Sequence, residues 1–126
     1  REIKSTPMHF DIYELIEKLS TRTAMYTGKH TLSHIRTYLD AYLHAMCDVD
    51  CNDIGKPEFS GFHKWIAQKY DFQRFTAGYP EILLAVALDI SPDDVQWETY
   101  DEKVTDEAHK KSVSMFFDLV GEYKNA

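Results

Sequence analysis

The stretch Thr76–Ile90, TAGYPEILLAVALDI, decides the fold class. Residues 82–88 are apolar on every side, which suits either a buried strand or a helix at the centre of a domain. Ala85 and Ala87 favour the helix, because alanine gives a pleated surface little to pack and loses no side-chain entropy in a helix. Pro80 falls near the first helical position, where an N–H has no intrahelical acceptor anyway, and Glu81 follows where the helix dipole favours an anion. The stretch therefore reads as a central, buried helix.

The segments around it carry helical periods of their own. Ile12, Leu15, Ile16 and Leu19 recur at helix spacing behind Asp11, a capping residue. Leu32, Ile35, Tyr38 or Leu39, Tyr42, Leu43 and Met46 form a wide apolar stripe that opens at Thr31, with Arg36, Asp40 and His44 on the polar face. Phe62, Trp65, Ile66 and Tyr70 repeat behind Ser60, the expected cap of a third helix. Val113, Phe116, Phe117, Val120 and Tyr123 make a last helix behind Thr105, with Asp106 and Glu107 in its first turn. The connection 20–31 reads as an ordered loop holding Met25 and Tyr26 inward, and 48–59 is broken by Gly55 and Pro57. No alternation of period two is longer than four residues, so the chain is expected to be all-α: a single compact domain of about five helices over residues 8–126, behind an extension of residues 1–7.

A chain of 126 residues, 44% hydrophobic and 13% aromatic, is long enough for one core. No apolar run approaches the roughly 20 residues that cross a bilayer, and residues 1–7 lack the apolar centre of a signal peptide, so a cytoplasmic protein without membrane contact is expected. Cys47 and Cys51 lie four apart near a helix end, a placement that rarely meets disulfide geometry, and they are read as reduced thiols.

The net charge of −7 is unevenly spread. The stretch 89–107 holds eight carboxylates and one base, Lys103, and the rest of the chain has thirteen of each sign. Phosphate binding needs a basic stripe, so nucleic acid is not expected as a direct ligand. A basic partner is. Trp97 and Tyr100 lie within the acidic stretch, where a solvated linker would avoid large rings, and either anchor it to the core or contact a partner. Asp48, Asp50 and Asp53 form a second acidic cluster.

Other chemistry finds less support. His30 and His34 have the spacing of a zinc helix but lack its acid, since Thr31 and Leu32 stand between them. His44, Cys47 and Cys51, with Asp48 or Asp50, are donors that zinc accepts, but no second Cys-x2-Cys knuckle accompanies them. The glycines are scattered singly, which excludes a phosphate-cradling loop, and no serine or cysteine sits in a nucleophile motif. The chain is therefore read as a non-enzyme without cofactor.

The segments RTAMYTGKHTLSHIRTYLDAYLHA (22–45), FSGFHKWIAQKYDF (59–72) and TAGYPEILLAVAL (76–88) resemble a group of small bacterial proteins. In these an Arg-Pro-x-Met-Tyr-x-Gly segment precedes a helix with a Leu-x-x-x-Tyr core. A Phe-x-x-Trp helix, a Thr-Ala-Gly-aromatic turn and a Phe-Phe-x-Leu helix follow. The likeness runs from Met8 to Tyr123, with Thr23 where proline is usual and Thr27 where leucine is common. Some members of this group resemble immunity proteins of polymorphic-toxin and contact-dependent growth inhibition systems. The resemblance implies a protein that binds and neutralises a cognate toxin domain, a basic nuclease, by covering its active site with an acidic surface. The residues expected to form that surface are Asp93, Asp94, Trp97, Glu98, Tyr100, Asp101, Glu102 and Asp106. The alternatives are a small helical adaptor or regulatory protein that binds another basic partner, and a metal-dependent protein using His44, Cys47 and Cys51.

Overall fold

A computed structural model of the chain describes residues 8–95 and 104–126; the extension 1–7 lies outside the described residues. The architecture is all-α, with five long helices and one short one among the described residues. Helix α1 spans Ile12–Thr21, α2 Thr23–Thr27, α3 Leu32–Asp48, α4 Phe62–Tyr70, α5 Tyr79–Ala87 and α6 Asp106–Lys124. Two short segments, β1 (His9–Phe10) and β2 (Asn52–Asp53), pair in parallel, with His9 opposite Asn52 and Phe10 opposite Asp53.

The caps expected at Asp11, Thr31 and Thr105 all form. Asp11 Oδ1 accepts the Tyr13 N–H at 2.9 Å, Thr31 Oγ1 the His34 N–H at 3.2 Å, and Thr105 Oγ1 the Ala108 N–H at 3.2 Å. The start of α1 is held a second time from the far side of α3: Asp53 Oδ1 accepts the N–H groups of Ile12 at 3.0 Å and Gly55 at 2.9 Å. A Cβ on Gly55 would lie 2.8 Å from Asp11 Oδ1 and 2.9 Å from Tyr13 Cδ2, so this junction closes only around glycine. The β1–β2 pair was not expected. Two residues per strand are too few to leave a periodic signature.

Two local expectations need correction. The connection 20–31 contains the helical turn α2, and Met25 is 67% exposed where burial was expected. The reason is geometric. Thr23 faces inward and donates its hydroxyl to Leu19 O at 2.9 Å, and a residue two places further on a helix points to the opposite side. Gly28, at φ 87°, then ends the turn by donating to Ala24 O at 2.9 Å. Nor does Ser60 cap α4. A 3-10 turn, Phe59–Gly61, leads into that helix, and Gly61 is its cap without any side-chain bond. The turn is held by α6 instead: Tyr123 donates its hydroxyl to Glu58 O at 2.6 Å, and the Tyr123 hydroxyl oxygen would lie 2.6 Å from a Cβ on Gly61.

Helix α5 is central, as its composition requires. Ile82, Leu83, Leu84, Ala85 and Ala87 are buried, and the helix touches α3, α4 and α6. On the stripe of α3, Leu32, Ile35 and Leu39 are buried while Tyr38, Tyr42, Leu43 and Met46 are half-buried. The middle of the core is aromatic: Phe62 is wholly buried, with ring centroids at 5.1 Å from Phe59, 5.4 Å from Tyr79, 5.5 Å from Tyr123 and 5.7 Å from Phe116. Among the described residues no helix is long and apolar enough to cross a membrane.

Candidate functional site

The acidic stretch leaves α5 through a tight left-handed turn: Asp89 has φ 58°, and Ile90 donates to Ala85 O at 3.0 Å. Ser91 then opens a 3-10 turn, Pro92–Asp94, in which Asp93 and Asp94 are adjacent and exposed. Asp93 pairs with Arg74 from the α4–α5 connection, and Asp94 accepts the Ser91 hydroxyl at 2.7 Å. Val95 is half-buried against the core. The expected surface residues Trp97, Glu98, Tyr100, Asp101 and Glu102 lie outside the described residues. Asp106 opens α6 and lines a shallow depression with Lys29, His30, Thr31, His109 and Lys110. Of the three described members, Asp93 and Asp94 are thus brought together, whereas Asp106 faces basic neighbours from the α2–α3 connection and from its own helix.

The second acidic cluster divides. Asp53 is occupied in holding α1, as described above, and Asp48 faces His44, whose Nε2 is 3.7 Å from the Asp48 carboxylate. Asp50 is exposed in a left-handed turn at φ 56°. The alternative donor set does not assemble. Cys47 is exposed on α3 while Cys51 is buried beyond the helix end, and both are free thiols. Among the described residues no three His, Cys, Asp or Glu side chains are arranged to hold a metal ion, so His44, Cys47 and Cys51 form no ligand set.

A different arrangement, not anticipated from sequence, lies where α3 crosses the start of α5. Arg36 Nε is 3.5 Å from Asp40 Oδ2, one turn along α3, and its guanidinium carbon stands 5.8 Å from the centroid of the Tyr79 ring. Gly78 caps α5 without a side chain. A Cβ there would collide with Arg36 Nη1 and lie 3.0 Å from Glu81 Oε2. A guanidinium and a carboxylate therefore converge over one glycine, yet no ion pair joins them, and Glu81 Oε2 is enclosed without a hydrogen-bond partner. Together with Phe75, Thr76 and Ala77 they line an open cleft of about 410 Å³. On its other side Glu81 borders a cavity of about 70 Å³ with Ser33, His109 and Ser112, and the Ser112 hydroxyl there donates to His109 O at 2.8 Å. Burial, with Asp40 nearby, pushes the Tyr79 phenol above its usual range against the opposing pull of Arg36, so the ring under the guanidinium stays neutral.

The sequence signal for this cleft was present in Thr76–Glu81, where a small-residue turn runs into a helix that carries a carboxylate in its first turn. Along the chain it reads only as a helix start, because Arg36 lies some forty residues away and spacing alone does not join the two. Comparison of the chain with protein-family models, with curated proteins and with solved structures gives no match.

Proposed function

We propose that the chain is an immunity-type protein that binds a cognate bacterial toxin domain, a basic nuclease, and blocks its active site with the acidic stretch 89–107. The observation that carries this reading is the charge distribution: the whole negative excess lies in that one stretch, on a chain otherwise balanced. Its described carboxylates at Asp93, Asp94, Asp106 and Glu107 are all exposed, which is the disposition a basic cleft can use. Carboxylates grouped at one place steer a cationic partner from a distance and raise association rates by about 10- to 1,000-fold at low salt. They also occupy the groups with which a nuclease holds phosphate. The resemblance of the chain from Met8 to Tyr123 to a group of small bacterial proteins, some of which resemble immunity proteins, suggests the class of partner.

The test begins at the gene neighbourhood, where this reading expects a toxin-domain gene beside the one for this chain, and takes the product of that gene as the partner. Asp93, Asp94, Glu98, Asp101 and Glu102 are replaced by their amides, and association is followed by stopped flow between about 20 and 300 mM salt, a range over which Debye screening changes several-fold. Slower association, a flatter salt dependence and an unchanged melting temperature are expected. An association rate equal to that of the parent protein at every salt concentration refutes the acidic-surface mechanism.

A further inference from the structure

We infer that the cleft at Gly78 is a binding site for a small zwitterion of the α-amino-acid type, its carboxylate held by Arg36 and its ammonium by Glu81. The inference is independent of the toxin reading, because it rests on the other end of α5 from the acidic stretch. It begins with two opposite charges that face one glycine without pairing to each other, Arg36 being paired with Asp40 and Glu81 having one oxygen without a partner. Arg36 is fixed on its inner side by Asp40 and by the Tyr79 face, and its Nη edge is directed over Gly78; the side chain is 45% exposed and can be reached from solvent. Guanidinium forks take carboxylates with two parallel bonds, and a fork already immobilised loses little freedom in doing so. Glu81 brings the opposite charge to the same glycine, with one oxygen enclosed and unpartnered.

Each simpler ligand leaves one of these charges opposed. An anion on Arg36 is repelled by Glu81, and a cation on Glu81 is repelled by Arg36. A neutral apolar group would leave the enclosed Glu81 oxygen without a donor, which is unfavourable. A molecule carrying both charges on neighbouring atoms satisfies both walls. The cleft, at about 410 Å³, has room for it, and the torsion that turns the Glu81 carboxylate toward the cleft is a soft sp³–sp² rotation. Thr76 and Ala77, two small residues, line the cleft beside the glycine and leave its mouth open.

The experiment is isothermal titration of the full chain with glycine and a panel of L-amino acids. Acetate and methylammonium serve as probes of one charge each, all at concentrations up to about 20 mM, within reach of weak affinities. At least one amino acid is expected to bind one to one with a dissociation constant of about 1 mM or tighter, and both single-charge probes at least tenfold more weakly. Arg36→Gln and Glu81→Gln are each expected to weaken binding tenfold or more with the fold retained by circular dichroism. Gly78→Ala, which fills the space between the two groups, should abolish it. No heat from any amino acid overturns the proposal. Acetate binding as tightly as the amino acids also overturns it, since Arg36 would then act alone, and so does affinity unchanged in both glutamine variants.

Discussion

Phe62→Ala removes the ring on which three helices converge. The side chain has no exposed surface, and four other rings lie with centroids between 5.1 and 5.7 Å from its own, contributed by the turn before α4, by α5 and by α6. Burying a phenylalanine and then deleting it costs about 3–5 kcal/mol, the larger values applying where neighbours cannot collapse into the space. Here the neighbours are rigid rings attached to separate elements. Edge-to-face contacts such as those to Tyr79, Phe116 and Tyr123 add about 0.5–1.5 kcal/mol each beyond area, although in one cluster these amounts do not sum. A loss of about 4–5 kcal/mol follows, a large share of the roughly 5–15 kcal/mol that holds such a domain together. At about 3–5 °C per kcal/mol for this chain length, the melting temperature should fall by about 15–20 °C. Urea unfolding followed by far-ultraviolet circular dichroism measures it, with Phe62→Leu as a milder variant expected to lose about 1–2 kcal/mol. A loss below about 1.5 kcal/mol for the alanine variant, at an unchanged denaturant slope, would refute the packing of α4 between α5 and α6.

Two further outcomes follow from the same contacts. Gly55→Ala should cost about 1–3 kcal/mol, since its Cβ would enter the junction of Asp11, Tyr13 and Asp53, and a urea midpoint within error of the parent would show that the junction has slack. Stability should also fall at high pH. Burial, followed by the nearby charges of Tyr123, Asp53 and Asp11, pushes the Tyr13 phenol from 10 to about 12, and Tyr70, Tyr79 and Tyr123 are shifted in the same direction by burial. Below pH 10 these phenols are protonated in both folded and unfolded chains, so their contribution is complete. Between pH 10 and about 12 the unfolded chain ionises while folded Tyr13, donating to Pro57 O, does not, and stability declines by up to about 1.4 kcal/mol per pH unit per phenol. Urea midpoints at pH 8, 10 and 11.5 test it: Tyr13→Phe should shallow the decline, and a flat profile would contradict the burial of these rings.

The fold was legible wherever a residue acts on its own chain neighbours. Asp11, Thr31 and Thr105 cap the N–H groups two or three places ahead, and the all-apolar run 82–88 has to be central whatever surrounds it. What escaped depends on distant partners. Ser60 has the right type for a cap, but Tyr123 of α6 takes over the turn beside it, and nothing within 59–62 encodes a tyrosine sixty residues away. Met25 follows an apolar-looking pattern that α2 is too short to use. The site divides in the same way. The charge imbalance of 89–107 is a property of composition and could be counted, whereas the convergence of Arg36 and Glu81 over Gly78 exists only once α3 crosses α5. Asp53 shows the converse: counted with an acidic cluster, it is taken up by two backbone N–H groups.

The placement of the acidic stretch bears on why it is tolerated at all. It joins the carboxyl end of α5 to the amino end of α6, and these two ends carry opposite partial charges. Asp106 and Glu107, in the first turn of α6, are favourably placed. Asp89, Asp93 and Asp94 follow the carboxyl end of α5, where the dipole opposes them, and Arg74 is the one basic side chain among the described residues that pairs with any of the three. With both partners more than half exposed, such a pair is worth about 0–1 kcal/mol, too little to offset several like charges in sequence. The fold does not need this charge density: the Asp11 and Thr31 caps, the Asp53 bridge and the aromatic core all lie outside 89–107, and the Thr105 cap uses a hydroxyl rather than a carboxylate. Yet both ends of the stretch are fixed, by the Ile90–Ala85 bond and the Val95 contact on one side and by the Thr105 cap on the other. On the function proposed above, the like charges at Asp89, Asp93 and Asp94 are what a partner's cations would neutralise, and a cleft that grips a phosphate backbone is the kind of surface that carries such cations close together.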